Sequence, residues 1–148
     1  MGTNWTFDDG GRKAAGFKGS TGDCVYRAIA IATGTPYDQV CAMVANAAFY
    51  ERPGAKRRKG RRSNQKNGVF KATIDRIMRD NFPQWKWTPT MSIGSGCKVH
   101  VRADELPKGK IILSLSKHLA AMIDGVVHDT HDPSRGGTRC VYGYWSLA

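Results

Sequence analysis

Cys24 is the residue with the clearest potential for covalent chemistry, because it falls where a helix is predicted to begin. It follows the polar loop Ser20 to Asp23 and precedes the apolar stretch Val25 to Ala32. Backbone N–H groups in the first turn of a helix have no intrahelical acceptor, and the helix dipole is positive there, so a thiolate is favoured over a thiol. A cysteine is also a common small buried residue, but the polar loop before Cys24 favours a nucleophile.

His118 is the candidate partner of that thiol. A cysteine nucleophile needs a histidine as base, and the histidine needs a group that orients it. His118 opens an apolar run that ends at Asp124-Gly125, a dipeptide typical of a two-residue hairpin turn. With that turn, Asp129 lies on the same face as His118, diagonally across the hairpin. A three-residue turn would instead place Asp132 opposite His118, so both aspartates are candidates and Asp129 is preferred.

Other polar residues near Cys24 have supporting roles. Asp23 is expected to cap the helix, and Arg27, one turn beyond Cys24, is expected to tie the helix to an acidic residue. Attack on a carbonyl also needs donors that stabilise the oxyanion. The backbone N–H of Cys24 is one such donor. The side-chain candidates for a second are Asn4, Ser20 and Thr21.

The cysteine pattern argues against metal binding. The four cysteines are Cys24, Cys41, Cys97 and Cys140, and no two form a Cys-x-x-Cys pair. Without a secretory signal, a reducing compartment and free thiols are expected. Zinc ligands usually come in closely spaced pairs. A metal site made of Cys24, His118 and either His128 or His131 is therefore disfavoured, and no metal or other cofactor is predicted.

The charge of the chain is strongly positive and unevenly distributed. The net charge is +11, and much of the excess lies in the segment 52–66. Such a run repels itself and stays solvated. It is predicted to bind nucleic acid or an acidic host protein, and a purely solvated loop is the alternative. The residues assigned to anion binding are Arg57, Arg58, Lys59, Arg61 and Arg62.

The hydrophobic patterns predict one α+β domain over residues 1–148. Helices are predicted over 24–33, 35–48 and 67–81, and strands over 5–7, 84–88, 110–115, 118–123, 126–130 and 139–145. Helices thus precede an antiparallel sheet, and the helix that carries Cys24 is expected to pack on that sheet. It is apolar nearly all round, which is typical of a buried central helix.

The sequence offers no sign of membrane association. It has no apolar run of the roughly 20 residues that span a bilayer. The N-terminus has no basic region followed by an apolar stretch. A cytoplasmic protein without a membrane partner is therefore expected.

The candidate residues lie in motifs that resemble the papain-like cysteine peptidase superfamily. The stretch Gly22–Ala28 is similar to the start of the nucleophile helix in bacteriocin-processing peptidases and, more loosely, in ovarian-tumour deubiquitinases. The stretch His118–Ile123 is similar to the papain-type histidine strand. The resemblance gives two candidates for the third residue of the site. Asp129-Thr130-His131 is similar to the Asn-Ser-Trp of papain, whereas Asp132-Pro133 is similar to the Asp-Pro of the bacteriocin-processing group.

The same helix and hairpin also resemble small papain-like proteins encoded by tailed bacteriophages. The resemblance implies a papain-like fold, a Cys-His-Asp site and, for a phage-encoded protein, a location in the cytoplasm of the host cell. The glutamine that papain places before its cysteine has no counterpart in Phe17–Thr21.

Two functions follow as hypotheses. The first is a cysteine-dependent hydrolase (peptidase, isopeptidase or amidase) or acyltransferase, which acts on a peptide or protein substrate through Cys24, His118 and Asp129 or Asp132. The alternative is a non-catalytic papain-like binding protein that engages nucleic acid or an acidic host protein through residues 52–66.

Overall fold

The computed structural model describes residues 4–18, 22–51, 62–65, 68–91 and 94–147. Over these residues the chain forms three helices and one six-stranded sheet, which confirms the α+β class. The helices are α1 (Cys24–Thr33), α2 (Tyr37–Phe49) and α3 (Lys71–Asn81). The strands are β1 (Asn4–Phe7), β2 (Trp85–Pro89), β3 (Lys110–Leu115), β4 (His118–Ile123), β5 (Val126–Asp129) and β6 (Gly143–Leu147).

The sheet is mixed, whereas the sequence predicted an antiparallel one. Its strand order is β1-β5-β4-β3-β6-β2. All neighbours are antiparallel except β1, which pairs in parallel with β5 through registers such as Trp5 with Val127. A parallel pair needs a long crossover connection, and here that connection includes all three helices. The N-terminal strand thereby lies at the edge next to the β4–β5 hairpin.

Helix α1 is buried against the middle of the sheet. It packs mainly on β4, and its apolar residues are almost fully enclosed, with Ile29 at 0% exposure. Burying one such side chain contributes about 1.5–3 kcal/mol. The helix ends as predicted at Gly34, which adopts the left-handed conformation with φ of 73°.

Apolar residues cover both faces of the central strands. One face of β3 and β4 packs on the helices, and the other packs on a second cluster that includes Val101 and Val141. Two-sided burial explains why the sequences of β3 and β4 are nearly continuous apolar runs. It also fixes the strand register, because a shift by one residue would expose one buried set.

The β4–β5 turn has the predicted two-residue form. Ile123 pairs with Val126 across Asp124-Gly125, and both turn residues have positive φ, 49° and 83°, as a type I′ turn requires. The Asp124 carboxylate accepts a hydrogen bond from the Gly109 N–H at 2.8 Å. The turn therefore places Asp129 on the face of the hairpin that carries His118.

Helices α2 and α3 begin later than predicted. The cap of α2 is Pro36, not Thr35, and the Thr35 hydroxyl contacts the Thr33 hydroxyl instead. The predicted α3 included Gly68, which has φ of 85° and cannot continue a helix. Gly68 instead forms an isolated antiparallel β-bridge with Asn64.

The cysteines are not all free thiols, so that expectation is wrong for one pair. A disulfide joins Cys97 and Cys140, whose Cα atoms lie 5.8 Å apart, and Cys24 and Cys41 are free. The two bonded cysteines lie 43 residues apart in sequence. A bridge between His100 and Cys140 brings the segments together, and no sequence spacing signals such a contact.

No helix in the described parts of the chain is long and apolar enough to cross a membrane.

Candidate active site

Cys24 is the first residue of α1, half-buried at the point where that helix meets the start of β4. Asp23 precedes it as the cap residue, but its side chain makes no capping hydrogen bond. Its carboxylate is used elsewhere, as described below. The predicted placement of the thiol at a helix N-terminus is therefore confirmed, while the predicted side-chain cap is not.

His118 is the group that most lowers the pKa of the Cys24 thiol. Burial raises the pKa of the thiol, but the hydrogen bond and charge of His118, the backbone N–H of Leu119 and the Arg27 guanidinium lower the pKa below its ordinary value overall. The thiolate is thus favoured by groups from β4 and from the next turn of α1. By contrast, burial raises the pKa of the other free thiol, Cys41.

The His118 ring lies between the thiol and the Asp129 carboxylate. Its Nε2 is 2.6 Å from Asp129 Oδ2, which leaves Nδ1 for Cys24. Burial lowers the pKa of His118, but the hydrogen bonds and negative charge of Asp129 and Cys24 raise it overall to about 9. The imidazolium is therefore the favoured form of His118 near neutral pH, with the Cys24 thiol on one side and the Asp129 carboxylate on the other.

Asp129 is held from three directions. Besides His118, it accepts the Thr130 N–H at 2.7 Å and an Arg27 guanidinium N–H at 3.2 Å, both at Oδ1. Burial raises the pKa of Asp129, but these partners, His118 foremost, lower it overall. Oδ1 is thus fixed by donors while Oδ2 faces the imidazole.

The Asp132 carboxylate is hydrogen-bonded to Ser134, not to the His118 imidazole. Its Oδ1 accepts the backbone N–H and the hydroxyl of Ser134, at 3.0 and 2.7 Å, and so closes the turn that follows. The two aspartates of the sequence prediction are therefore separated by the fold: Asp129 contacts His118, and Asp132 stabilises a turn.

Behind Asp129 lies a buried ionic network that the sequence only partly indicated. Arg27 bridges Asp129 and Asp23, whose side chains are 3% and 1% exposed. Asp23 also accepts the Tyr37 hydroxyl at 2.6 Å, and Arg12 donates to that hydroxyl at 2.9 Å. The i,i+4 spacing of Asp23 and Arg27 is a sequence signal for an ion pair between them. Nothing local links Arg12 or Tyr37 to the site.

An open cleft of about 1490 Å³ passes over Cys24 and His118. The loop after β1, the start of α1, the segment before α3 and the β3–β4 turn form its walls. Apolar lining comes from Phe7, Phe17, Val69, Phe70, Ile74 and Leu115. A polypeptide segment can therefore reach the thiol from solvent.

The remaining predicted residues do not join this cluster. Ser20 and Thr21, and the basic residues Arg57, Arg58, Lys59 and Arg61, lie outside the described residues. Asn4 is exposed at the start of β1 and does not line the cleft. Arg62 donates to the carbonyls of Ala48 and Phe49, at 2.5 and 2.9 Å. It therefore caps the end of α2 rather than presenting a free cation.

A metal would be poorly placed here. Among the described residues, ligand atoms of His118, Asp129 and His131 lie within 4.8 Å of one another. His118 and Asp129 already bond each other, and the Arg27 guanidinium lies 3.2 Å from Asp129. A fixed positive charge beside the carboxylate opposes cation binding. His128, the other histidine considered, lies near Asp8 instead.

Comparison of the chain with protein-family models, with curated proteins and with solved structures finds no match.

Proposed function

We propose that this chain is a cysteine-dependent hydrolase or acyltransferase that acts on a peptide, isopeptide or other amide bond. The observation that carries the proposal is the series Cys24, His118 and Asp129, of which Cys24 and His118 line an open cleft while Asp129 is buried and bonded to His118. The thiol has an imidazole on one side, and the imidazole has a buried carboxylate on the other. This is the arrangement that nucleophilic catalysis by cysteine requires.

The finer fold class is part of the same proposal. In papain-like enzymes the nucleophile begins a helix that packs on a sheet, and the histidine comes from that sheet, later in the chain. Here α1 begins with Cys24, β4 begins with His118, and Asp129 ends the adjacent strand β5. These positions support a papain-like arrangement.

In the first half of the reaction, the Cys24 thiolate attacks the carbonyl carbon. A C–S bond forms and the carbonyl π electrons move to the oxygen, where the Cys24 backbone N–H can donate. When the intermediate collapses, the C–N bond breaks and the His118 imidazolium gives its proton to the leaving amine. The products are a thioester on Cys24, a neutral His118 and a free amine.

In the second half, neutral His118 acts as the base. It takes a proton from water, whose oxygen attacks the thioester, and the C–S bond breaks to release an acid and the thiolate. His118 becomes imidazolium again. An amine in place of water gives acyl transfer. Asp129 stabilises the imidazolium in both halves and keeps Nδ1 directed at the sulfur.

Labelling with a peptide-based electrophile tests the proposal. Wild type should be labelled at one site, and Cys24→Ala should not be labelled. Cys41→Ala is the matched control, because Cys41 is the other free thiol and should not contribute. His118→Ala should slow labelling by at least about tenfold, as loss of a general base typically costs 10²–10⁴ in rate. Equal labelling of Cys24 and Cys41 would contradict the proposal.

A second candidate function is binding through the basic segment 52–66, and the positive charge concentrated there supports it. Glu51, directly before the segment, accepts the Ser63 N–H at 2.8 Å and the Thr73 hydroxyl at 2.5 Å. Residues 51 and 63 are thus fixed side by side. If the segment between them binds phosphates, replacing its lysines and arginines by glutamine should weaken heparin retention and flatten its salt dependence. Retention that is indifferent to salt would exclude this function.

A further inference from the structure

The described residues that line the cleft around Cys24 carry more positive than negative charge. Lys13, Lys18 and Lys117 line the cleft with exposed side chains. None of the three makes an ion pair within the described part of the chain, whereas the fourth lining lysine, Lys71, is paired with Asp75 at 2.7 Å. Lys117 directly precedes His118 in the β3–β4 turn and lines the same cleft as Cys24.

Only Asp9 is placed to offset one of these lysines, because its carboxylate interacts electrostatically with Lys13. All twelve Asp and Glu residues lie among the described residues, and of these only Asp9 and Asp23 line the cleft. Asp9 accepts the backbone N–H groups of Gly11 and Lys13, at 2.9 and 3.0 Å. Asp23 is buried and bonded to Arg27 and Tyr37. Within the described residues, Lys18 and Lys117 therefore face the cleft without an acidic partner, and a bound ligand can supply one.

Apolar side chains line the cleft together with these charges. Phe7 is 67% exposed and Phe70 36% exposed, and both line the same cleft. A cleft lined by one sign of charge concentrates ligands of the opposite sign, by tenfold or more in association rate, and salt weakens the effect. The exposed apolar side chains of the lining add a preference for a ligand that also has apolar side chains, as a polypeptide does.

We infer that the site acts on acidic peptide segments, in which Asp or Glu side chains flank the amide that Cys24 attacks. The inference rests on the proposed function, since it names the substrate class of the same thiol. Lys13, Lys18 and Lys117 are specificity-determining residues: they pair with carboxylates of the bound segment and take no part in the bond-breaking steps.

The charge around the thiol can be measured without a substrate. Iodoacetate and iodoacetamide alkylate a thiolate by the same displacement, in which the C–S bond forms and iodide leaves, but only iodoacetate carries a negative charge. The ratio of their rates at Cys24 therefore reports the local potential. We expect the Lys13→Gln, Lys18→Gln, Lys117→Gln triple variant to lower this ratio by roughly threefold or more at low salt.

The matched control is Lys86→Gln, Lys98→Gln, Lys108→Gln. These lysines are exposed and lie outside the cleft lining, so the net charge changes equally while the cleft keeps its charge. The control should leave the ratio close to that of wild type. If both triple variants lower the ratio equally, or neither does, the lysines do not define the site and the inference is overturned.

Protection by peptides tests the substrate class itself. A capped hexapeptide of alternating Glu and Phe should slow alkylation of Cys24 by iodoacetamide in wild type, and less so in the cleft variant. The corresponding Lys and Phe peptide should not protect. Equal protection by both peptides, or equal protection by a single-stranded oligonucleotide, would overturn the acidic-peptide assignment.

Failure of the thiol chemistry and failure of the substrate class give different results. If Cys24 reacts with iodoacetamide no faster than Cys41, the proposed thiol chemistry itself is wrong and the substrate class falls with it. If Cys24 is selectively reactive but indifferent to reagent and peptide charge, the thiol chemistry stands and only the substrate class is wrong.

Discussion

At the scale of single residues, the site is a row of alternating charges. Cys24, His118 and Asp129 are followed by Arg27 and Asp23, both buried, so each charge lies between opposite ones. Removing one member of a buried network leaves its neighbours unpaired, which typically costs 3–5 kcal/mol. The network therefore fixes the protonation states of the reacting groups as well as their positions.

The pH dependence of the thiol follows from these charges. The pKa of Cys24 is lowered and that of His118 is raised to about 9, so the thiolate–imidazolium pair exists between the two values. Alkylation of Cys24 should rise with pH through a midpoint below the ordinary thiol value of about 8.5. Amide turnover, which also needs the imidazolium as acid, should fall above about 9. A Cys24 alkylation midpoint at or above the ordinary value would contradict the ion pair.

Asp129 and Asp132 should differ sharply when each is replaced by asparagine. Asp129→Asn removes the charge that stabilises the imidazolium, so alkylation of Cys24 at pH 6 should slow by about tenfold or more, the equivalent of one pKa unit. Asp132→Asn changes a turn that lies away from the imidazole and should leave this rate within twofold. The alkylation rates of both variants, compared with that of wild type, show which aspartate stabilises the imidazolium.

At the scale of elements, the site lies where the starts of α1 and β4 meet. The β3–β4 turn sets the start of β4: Lys117 has a left-handed φ of 54°, and Arg139 donates to the Ser116 carbonyl at 2.6 Å. On the other side, the loop after β1 covers Arg27 and bonds to β5, since the Asp8 N–H donates to the Asp129 carbonyl at 2.9 Å. Two short connections thus hold the reacting residues in place.

Gly10 is the close contact between that loop and α1. A Cβ at Gly10, whose φ is 72°, would lie 2.8 Å from the Cα of Arg27. Gly10→Ala should therefore lower the free energy of unfolding by about 2 kcal/mol or more, through backbone strain and displacement of the loop. Gly16→Ala, in the same loop with φ of 96° and open space around it, should cost only about 1 kcal/mol. Urea unfolding of both variants measures the difference, and equal losses would show that the contact is unimportant.

At the scale of the whole molecule, two long-range connections close the fold. The parallel pairing of β1 with β5 joins the N-terminal segment to the hairpin, and the disulfide joins the segment before β3 to the segment before β6. The excess positive charge is a third global property, and the proposed preference for acidic peptides depends on it. Neither cysteine of the disulfide lines the cleft.

Removal of the disulfide should lower the stability of the fold and leave the reactivity of Cys24 unchanged. Closing a loop of 43 residues restricts the unfolded chain by up to about 4 kcal/mol in the chain-entropy model. The Cys97→Ser, Cys140→Ser variant should therefore unfold at clearly lower urea concentration while Cys24 keeps its alkylation rate. Cys41→Ser is the control for loss of a thiol alone. A parallel loss of Cys24 reactivity would show that the disulfide supports the site.

The sequence by itself determined the local structure around the reacting residues. The apolar run after Cys24 and the left-handed Gly34 define α1, and the Asp124-Gly125 turn places Asp129 on the face of His118. Both are short-range effects of backbone conformation and side-chain alternation, which are encoded within a few residues.

Only the tertiary structure decided which distant groups meet. The contacts in question are the parallel β1–β5 pair, the Cys97–Cys140 disulfide, and the approach of Arg12 and Tyr37 to Asp23. They join residues between 11 and more than 100 positions apart. No local propensity encodes such contacts, because they form only when the helices and the sheet bury a common core. That packing brings the thiol of α1 to the imidazole of β4 and, within the described residues, leaves Lys18 and Lys117 in the cleft without an acidic partner.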